Sequence, residues 1–446
     1  MRLSKLFKNA PTVNVTGLCF DSRKVQKGDL YFCLPGMTYD GHDFIAQAVE
    51  KGAIGIVHSK EIENKLEGAV YIRVEDVVLA MNQCARIFYA KPSDKMTMYG
   101  ITGTNGKTTT NNLMCSALEA KGYKVLCNRL GANMTSGIAT AYLQMADIFG
   151  RLQADYACLE IDEAYTPIVF RQVKPDIMII TNLFRDQLDR YGEIDITVDI
   201  IKRAIAEAGD IKIVLNADDP LCVQFGNCEN ASPVYYGISE KVLPQVDDTK
   251  EGRFCPACGR ELHFNYYHYS QLGDFSCPGC GYSRPDPDFD VRNVSLKTPM
   301  KFTINGEKME VNYKGFYNIY NLAAVYAALD TAGESTDDFE RLLENYKPQI
   351  GRMQEFSLKK PVVLSLSKNP AGFNQAIATV NSDERKKDVI IAINDLANDG
   401  RDVSWLWDVD FHKIKNENLN KLITTGIRVY DISLRFKYAG IGVDMM

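Results

Sequence analysis

The chain has 446 residues, 51 Lys and Arg against 57 Asp and Glu, and a formal net charge of −6. That length allows about two to four domains, each burying its own core, and the acidic balance excludes a broad electrostatic footprint for nucleic acid. No apolar run approaches the roughly 18–20 residues of a bilayer span, and the N-terminus, MRLSKLFKNAPTVNV, lacks the apolar core of a secretion signal, so a cytoplasmic location is expected.

Residues 1–93 read as a small α/β domain. Strand-like runs at 30–34 (LYFCL) and 53–58 (AIGIVH) flank a helical stretch at 43–51. A Pro-marked linker then leads to residues 98–110, MYGITGTNGKTTT, around which the chain is organised. An apolar strand runs into Gly103, Thr104, Asn105, Gly106, Lys107, Thr108 and Thr109. Glycines let such a loop turn its N–H groups toward an anion. A lysine and a hydroxyl at the start of the next helix suit a nucleotide's phosphates and Mg²⁺. The strict G-x-x-x-x-G-K-[ST] pattern is not met, because Ile101 holds its first position.

Downstream, a helix is expected to end at Gly122, followed by strands at 124–128 and 155–162. The second ends in acids, Glu160, Asp162 and Glu163, of which Glu160 is the preferred Mg²⁺ ligand. Further strands lead to TNLFRDQLDRYGE (181–193) and LNADDP (215–220), and a helix begins near Asn318 and Asn321. Between them stand Cys255, Cys258, Cys277 and Cys280 in the pattern C-x₂-C-x₁₈-C-x₂-C. That spacing and the all-thiolate set predict a closed, structural Zn²⁺ site in an insert spanning 253–283. His263 and His268, between the knuckles, are expected on the surface. The other eight cysteines are expected to be reduced thiols. With five histidines in all, few Cys–His or Ser–His pairings are available.

The loop at 98–110 resembles the ATP-binding loop of the Mur ligase family, which phosphorylates a carboxylate and lets an amine displace the phosphate. The resemblance implies an α/β protein of three domains: an N-terminal domain (1–93), a P-loop central domain with the inserted Cys₄ zinc ribbon (94–350) and a C-terminal domain (351–446). It implies ATP contacts from residues 103–109, Asn216, Asp218, Asn318, Asn321 and Arg352. DSRKVQKGDLYFCLPG and DGHDFIAQAVEKGA are similar to the UDP-binding domain of MurE-type members, which implies Ser22, Arg23 and His42 near a peptidoglycan precursor.

The ribbon, together with LEIDEA, LNADDP, GRMQEF, KNPAG (368–372) and the segment VIIAINDLANDGRDVSWLWDVDF, is similar to the MurT-like branch of the family. That branch implies ATP-dependent amidation of the α-carboxyl of D-isoglutamate in the lipid II stem peptide. Ammonia would come from a GatD-like glutaminase in a heterodimer, with Asp395, Asp399 or Asp402 serving the glutaminase. Two alternatives stay open: a MurE-type ligase adding an amino acid to a UDP-linked peptide, and a non-catalytic nucleotide-binding scaffold. The Asp-Asn-Pro-Arg motif of diaminopimelate-adding members does not occur. Gln187 stands where the family commonly has histidine, which puts a second Mg²⁺ in doubt. The end at KYAGIGVDMM implies a shortened third domain.

Overall fold

The computed structural model describes residues 1–35, 40–88, 95–146, 152–185, 194–243, 252–297, 299–344, 346, 353–396 and 401–441. The chain forms two compact units, Met1–Met96 with Met145–Gln153, and Thr97–Gln144 with Ala154–Met446.

The first unit is built on a parallel four-stranded sheet of β1 (Gly17–Cys19), β2 (Asp29–Phe32), β3 (Gly55–His58) and β4 (Val70–Arg73), in that order. Every residue of β2 and β3 is buried, as expected for parallel strands covered on both faces. The stretch expected as a helix at 43–51 is a 3₁₀ turn, Gly41–Phe44, running into a helix, Ile45–Glu50. Asp40 starts it by accepting the His42 N–H at 2.9 Å.

The second unit carries a nine-stranded sheet. Its strands are β5 (Thr97–Thr102), β6 (Val125–Cys127), β7 (Tyr156–Glu160), β8 (Ile177–Ile180), β9 (Ile211–Asn216), β10 (Ala231–Ile238), β13 (Phe289–Ser295), β14 (Met300–Ile304) and β15 (Glu307–Val311). The order is β15-β14-β13-β10-β9-β8-β5-β7-β6, parallel from β6 to β13, with β14 and β15 antiparallel at one edge. β11 (His263–Tyr269) and β12 (Leu272–Ser276) form a separate hairpin. The chain leaves β5 for β6 on one side and later fills β8 on the other. The strand order therefore reverses at β5, and the C-terminal ends of β5, β7 and β8 lie where α/β proteins place ligands.

Two helices close the core. Lys107–Ala120 buries Leu113, Met114, Cys115, Ala117 and Leu118. Tyr317–Thr331 is apolar on all sides and almost wholly buried. The first begins at Lys107, directly after Gly106, whose φ of 83° ends the loop in a left-handed turn. The same helix packs on β6 and brings Cys115 and Cys127 to a Cα–Cα separation of 6.7 Å, joined as a disulfide. This corrects the expectation of reduced thiols for that pair. Cys33, Cys84, Cys158 and Cys222 are free and buried as expected, and Cys19 and Cys228 are free and half-buried.

After residue 353 the unit has a hairpin of β16 (Gln354–Ser357) and β17 (Pro361–Leu364), a helix Pro370–Asn381, and the parallel pair β18 (Lys387–Ala392) and β19 (Leu419–Thr425). Ile377, Ile391, Phe411, Leu422 and Phe436 belong to an apolar cluster of its own.

Candidate functional site at the ends of β5, β7 and β8

The loop 103–106 is fixed by the segment after β8. Thr104 and Asn105 donate their N–H groups to the Asn182 carbonyl and to Asn182 Oδ1, both at 2.9 Å. Asn182 Nδ2 and Thr181 Oγ1 donate to the Asn105 carbonyl at 3.0 and 2.7 Å. Thr104 Oγ1 donates to the Phe184 carbonyl and accepts the Phe184 N–H, each at 3.0 Å. The N–H groups of residues 104 and 105 are thus committed within the protein rather than turned to an anion as expected. The first N–H groups of the helix at Lys107–Thr109, which an α-helix does not pair internally, are donors suited to a phosphate. Gly103 has φ 123°, and a Cβ there would stand 2.3 Å from Thr181 Oγ1, so the close approach requires glycine.

Lys107 and Thr108 reach the end of β7. Thr108 Oγ1 donates to Glu160 Oε1 at 3.0 Å, and Asn133 Nδ2 donates to the same oxygen at 3.1 Å. Asn128 grips the Glu160 backbone on both sides, accepting its N–H at 2.8 Å and donating to its carbonyl at 2.7 Å. A hydroxyl and a carboxylate oxygen, both hard donors, fit Mg²⁺. Thr109 lies half-buried in the first helical turn. Lys107 Nζ pairs with both oxygens of Glu163, at 2.8 and 3.0 Å, with both side chains less than a tenth exposed. Burial alone would lower the Lys107 pKa, but Glu163, then Asp162 and Glu160, hold it above the usual range. Burial likewise works to raise Glu163, and Lys107 and then Lys368 bring it below the usual carboxylate value.

Asn318 and Asn321 stand beside the loop. Thr110 Oγ1 donates to Asn321 Oδ1 at 3.3 Å, and Asn321 Nδ2 donates to Asn318 Oδ1 at 3.1 Å. Asn216 and Asp218 are fully buried. Asn216 Nδ2 donates to the Thr181 carbonyl at 3.1 Å. Asp218 accepts from Arg284 Nε and the Tyr320 hydroxyl at 2.7 Å each, and from the Ile238 N–H at 3.0 Å. Its carboxylate is spent inside the fold. His268 is buried beside it rather than on the surface as expected, with Nδ1 2.7 Å from the Tyr320 hydroxyl and Nε2 2.8 Å from the Glu240 carbonyl. The hairpin between the knuckles lies against the main sheet's core, which sequence spacing does not reveal.

The four cysteines converge as expected, with all Sγ atoms within 4.8 Å of one another. Cys255–Cys280 and Cys258–Cys277 are 3.5 Å apart. A tetrahedral Zn²⁺ with 2.3 Å bonds separates its sulfurs by about 3.8 Å, so the set has the size that ion requires. Gly259 and Gly281 take φ 74° and 76° behind their knuckles.

In the first unit, Ser22 is buried with its hydroxyl donating to Gln47 Oε1 at 2.6 Å. Arg23 is exposed and pairs with Asp21 at 2.9 Å. The His42 ring is engaged on both nitrogens, with Nδ1 2.5 Å from Asp40 Oδ1 and Nε2 accepting the Ser59 N–H at 3.1 Å. Near the C-terminus, Asp395 pairs with Arg428 at 2.7 Å, and Asp402 caps its own turn by accepting the Ser404 N–H at 2.8 Å. Asp399, Arg352 and Gln187 lie outside the described residues.

Sequence reading gave no role to Asn128, Asn133, Thr181, Asn182 or Asn369. Asn369 Nδ2 donates to Asn105 Oδ1 at 3.1 Å, so the KNPAG segment touches the loop 103–106. The asparagine after the strand-ending Thr181 was the available signal for Asn182.

Comparison with known proteins gives the chain's family. Residues 14–89 match the family described as Mur ligase family, catalytic domain; 101–275 match the Mur ligase middle domain; and 366–446 match the MurT ligase C-terminal family. The chain is 37% identical over 348 residues, 78% of each chain, to the MurT subunit of lipid II isoglutaminyl synthase (glutamine-hydrolyzing) of Staphylococcus aureus strain COL. It is 28% identical over 386 residues, 82% of this chain and 70% of the other, to UDP-N-acetylmuramoyl-L-alanyl-D-glutamate–2,6-diaminopimelate ligase 1 of Clostridium acetobutylicum. Among solved structures, MurF from Acinetobacter baumannii shares the fold, with a TM-score of 0.67 at 17% identity over 97% of this chain and 84% of that one. Among the described residues, no helix is long and apolar enough to cross a membrane. The chain belongs to the Mur ligase family, in the branch of the MurT subunits.

Proposed function

We propose that this chain is the ATP-dependent ligase subunit that amidates the α-carboxyl of D-isoglutamate in the lipid II stem peptide, in the cytoplasm, with ammonia supplied by a GatD-like glutaminase. The observation that carries amidation over amino-acid addition is the 37% identity to a MurT subunit, set against 28% to a diaminopimelate ligase. The division into domains at 1–93, 94–350 and 351–446 belongs to the same proposal, as does Zn²⁺ in the four-cysteine cluster, where it would tie an insert with little core of its own.

The substrate carboxylate attacks the γ-phosphorus of ATP and ADP leaves, giving an acyl phosphate. Ammonia attacks the acyl carbon, the tetrahedral adduct loses phosphate and a proton, and the amide forms. Thr108 and Glu160 would hold Mg²⁺, which neutralises charge on the phosphates when bound. Lys107 offsets charge on the transferred phosphoryl group, and the helix N-terminus beginning at Lys107 orients it. Asn128 and Asn133 keep the Glu160 carboxylate aimed at Thr108. Asn321, bonded to Thr110, fixes the helix that lines the nucleotide side.

The test is mass spectrometry of lipid II incubated with the chain, its glutaminase partner, ATP, Mg²⁺ and glutamine, or with an ammonium salt in place of the last. Replacement of one carboxyl by a carboxamide is expected, and Lys107→Ala should abolish it. Addition of an amino-acid residue instead, or ATP turnover unchanged in Lys107→Ala, refutes the reading.

A further inference from the structure

The Lys107 ammonium is not waiting in an open crevice. It is held in a two-point ion pair with Glu163, at 2.8 and 3.0 Å, and both side chains are nearly inaccessible. To reach a phosphate the ammonium must leave that carboxylate. Glu163 would then stand buried beside Glu160 and Asp162, with an anionic nucleotide arriving. A buried carboxylate stripped of its cation is strongly unfavourable, so the exchange needs a second cation. Lys368 is the candidate for that role. It precedes Asn369, whose side chain reaches Asn105 in the nucleotide loop at 3.1 Å, and its charge is already felt at Glu163, second only to that of Lys107 among the favourable influences.

We propose that Glu163 is a positioning residue that occupies Lys107 in place of the phosphates, and that Lys368 takes over Glu163 when ATP draws Lys107 away. This deepens the reading of the site as an ATP site and rests on it. Lys107 is kept charged and extended while the site is empty, at a cost in nucleotide affinity. The state of the loop is thereby linked to the KNPAG segment. A magnesium ligand is the competing role for Glu163, but both of its oxygens face Lys107, whereas the Thr108 hydroxyl is aimed at Glu160.

The experiment is a titration of the full-length chain with AMP-PNP and Mg²⁺ by calorimetry, alongside thermal melts. Glu163→Gln removes the competitor and should lower the Kd at least tenfold while lowering the melting temperature, a pairing that a merely structural role does not produce. Lys368→Met should raise the Kd at least threefold in the wild-type background and leave it unchanged in the Glu163→Gln background. Glu163→Asp, too short for the two-point pair, should lower the Kd by less than Glu163→Gln and serves if the latter fails to fold. Unchanged or weaker binding in the Glu163 variants, or an equal effect of Lys368→Met in both backgrounds, overturns the proposal while leaving the ATP reading intact. Failure of the wild-type chain to bind AMP-PNP overturns both.

Discussion

Replacement of Arg284 tests how the ribbon is joined to the site. Arg284 lies four residues after the last zinc-spaced cysteine, and its Nε sits 2.7 Å from Asp218 Oδ1, with both side chains buried. In Arg284→Met the Asp218 carboxylate keeps the Tyr320 hydroxyl and the Ile238 N–H but loses its cation. Breaking a buried pair from one side costs about 3–5 kcal/mol. The two remaining donors place the loss near the lower end, about 3 kcal/mol. At about 2–3 °C per kcal/mol for a unit of this size, the melting temperature should fall by roughly 6–9 °C. Calorimetry of Arg284→Met beside Arg284→Met/Asp218→Asn checks this. The double variant removes the stranded charge and should recover part of the loss. A single variant within about 1 kcal/mol of the wild type, or a double variant additive in the two losses, would refute the view that Asp218 is a charge the fold must neutralise.

Three further outcomes are expected. Burial raises the Asp219 carboxyl to about 6, against the opposing pull of the Leu183 and Leu221 N–H groups. A raised folded pKa means that the folded chain holds a proton the unfolded chain has lost. Stability from this group is therefore complete below the unfolded value of 3.8 and is lost as pH rises through about 6. The group should make the protein about 1 kcal/mol more stable at pH 5 than at pH 7, and urea melts of Asp219→Asn at the two pH values should lack that increment. Gly106→Ala places a Cβ at φ 83° and 2.3 Å from Asn321 Oδ1; about 1–2 kcal/mol of backbone cost plus a displaced Asn321 should lower both melting temperature and nucleotide affinity. Stripping metal with a strong chelator should release one Zn²⁺ per chain, read by a colorimetric indicator, and lower the melting temperature; full retention of stability without metal would refute a structural site.

The parts of the fold that were legible were those written in local pattern. Apolar runs marked β5, β7, β8 and β9, glycine with lysine marked the loop, and paired C-x₂-C marked the ribbon. What was not legible depends on residues far apart in sequence. Nothing local tells that Asn182 closes the loop 77 positions away, or that Asn369 meets Asn105 from 264 positions away. Glu163 was visible as one of three acids, but its pairing with Lys107 follows from how the turn after β7 faces the helix. Asp218, which the resemblance put in a nucleotide-contacting loop, is fully buried, because Arg284 and Tyr320 arrive from other elements to satisfy it. His268 deceived in the same way: an aromatic, polar hairpin looks solvated until its partners in the core are known.

Those long-range partners also give the ribbon a place in the mechanics of the site. Gly273 in its hairpin donates to the Asp218 carbonyl at 2.8 Å, and Gln271 Nε2 donates to the Leu183 carbonyl at 2.6 Å. The Tyr282 hydroxyl donates to the Pro220 carbonyl at 2.6 Å. The loop after β9 is therefore clamped by the insert on one side. On the other, Asn216 Nδ2 and the Tyr236 hydroxyl hold the Thr181 carbonyl, at 3.1 and 3.2 Å. The Thr181 side chain in turn holds the Asn105 carbonyl of the nucleotide loop. Hydrogen-bonded contiguity of this kind fixes positions; it does not by itself transmit a signal. The consequence is that loosening the ribbon should weaken nucleotide binding through lost order at Thr181 and Asn182, while the Lys107, Thr108 and Glu160 side chains, anchored on the helix and on β7, keep their mutual geometry. Metal removal should accordingly raise the Kd for nucleotide in step with the fall in melting temperature, and a metal-free chain that melts earlier yet binds nucleotide as tightly as before would show that the insert supports only itself.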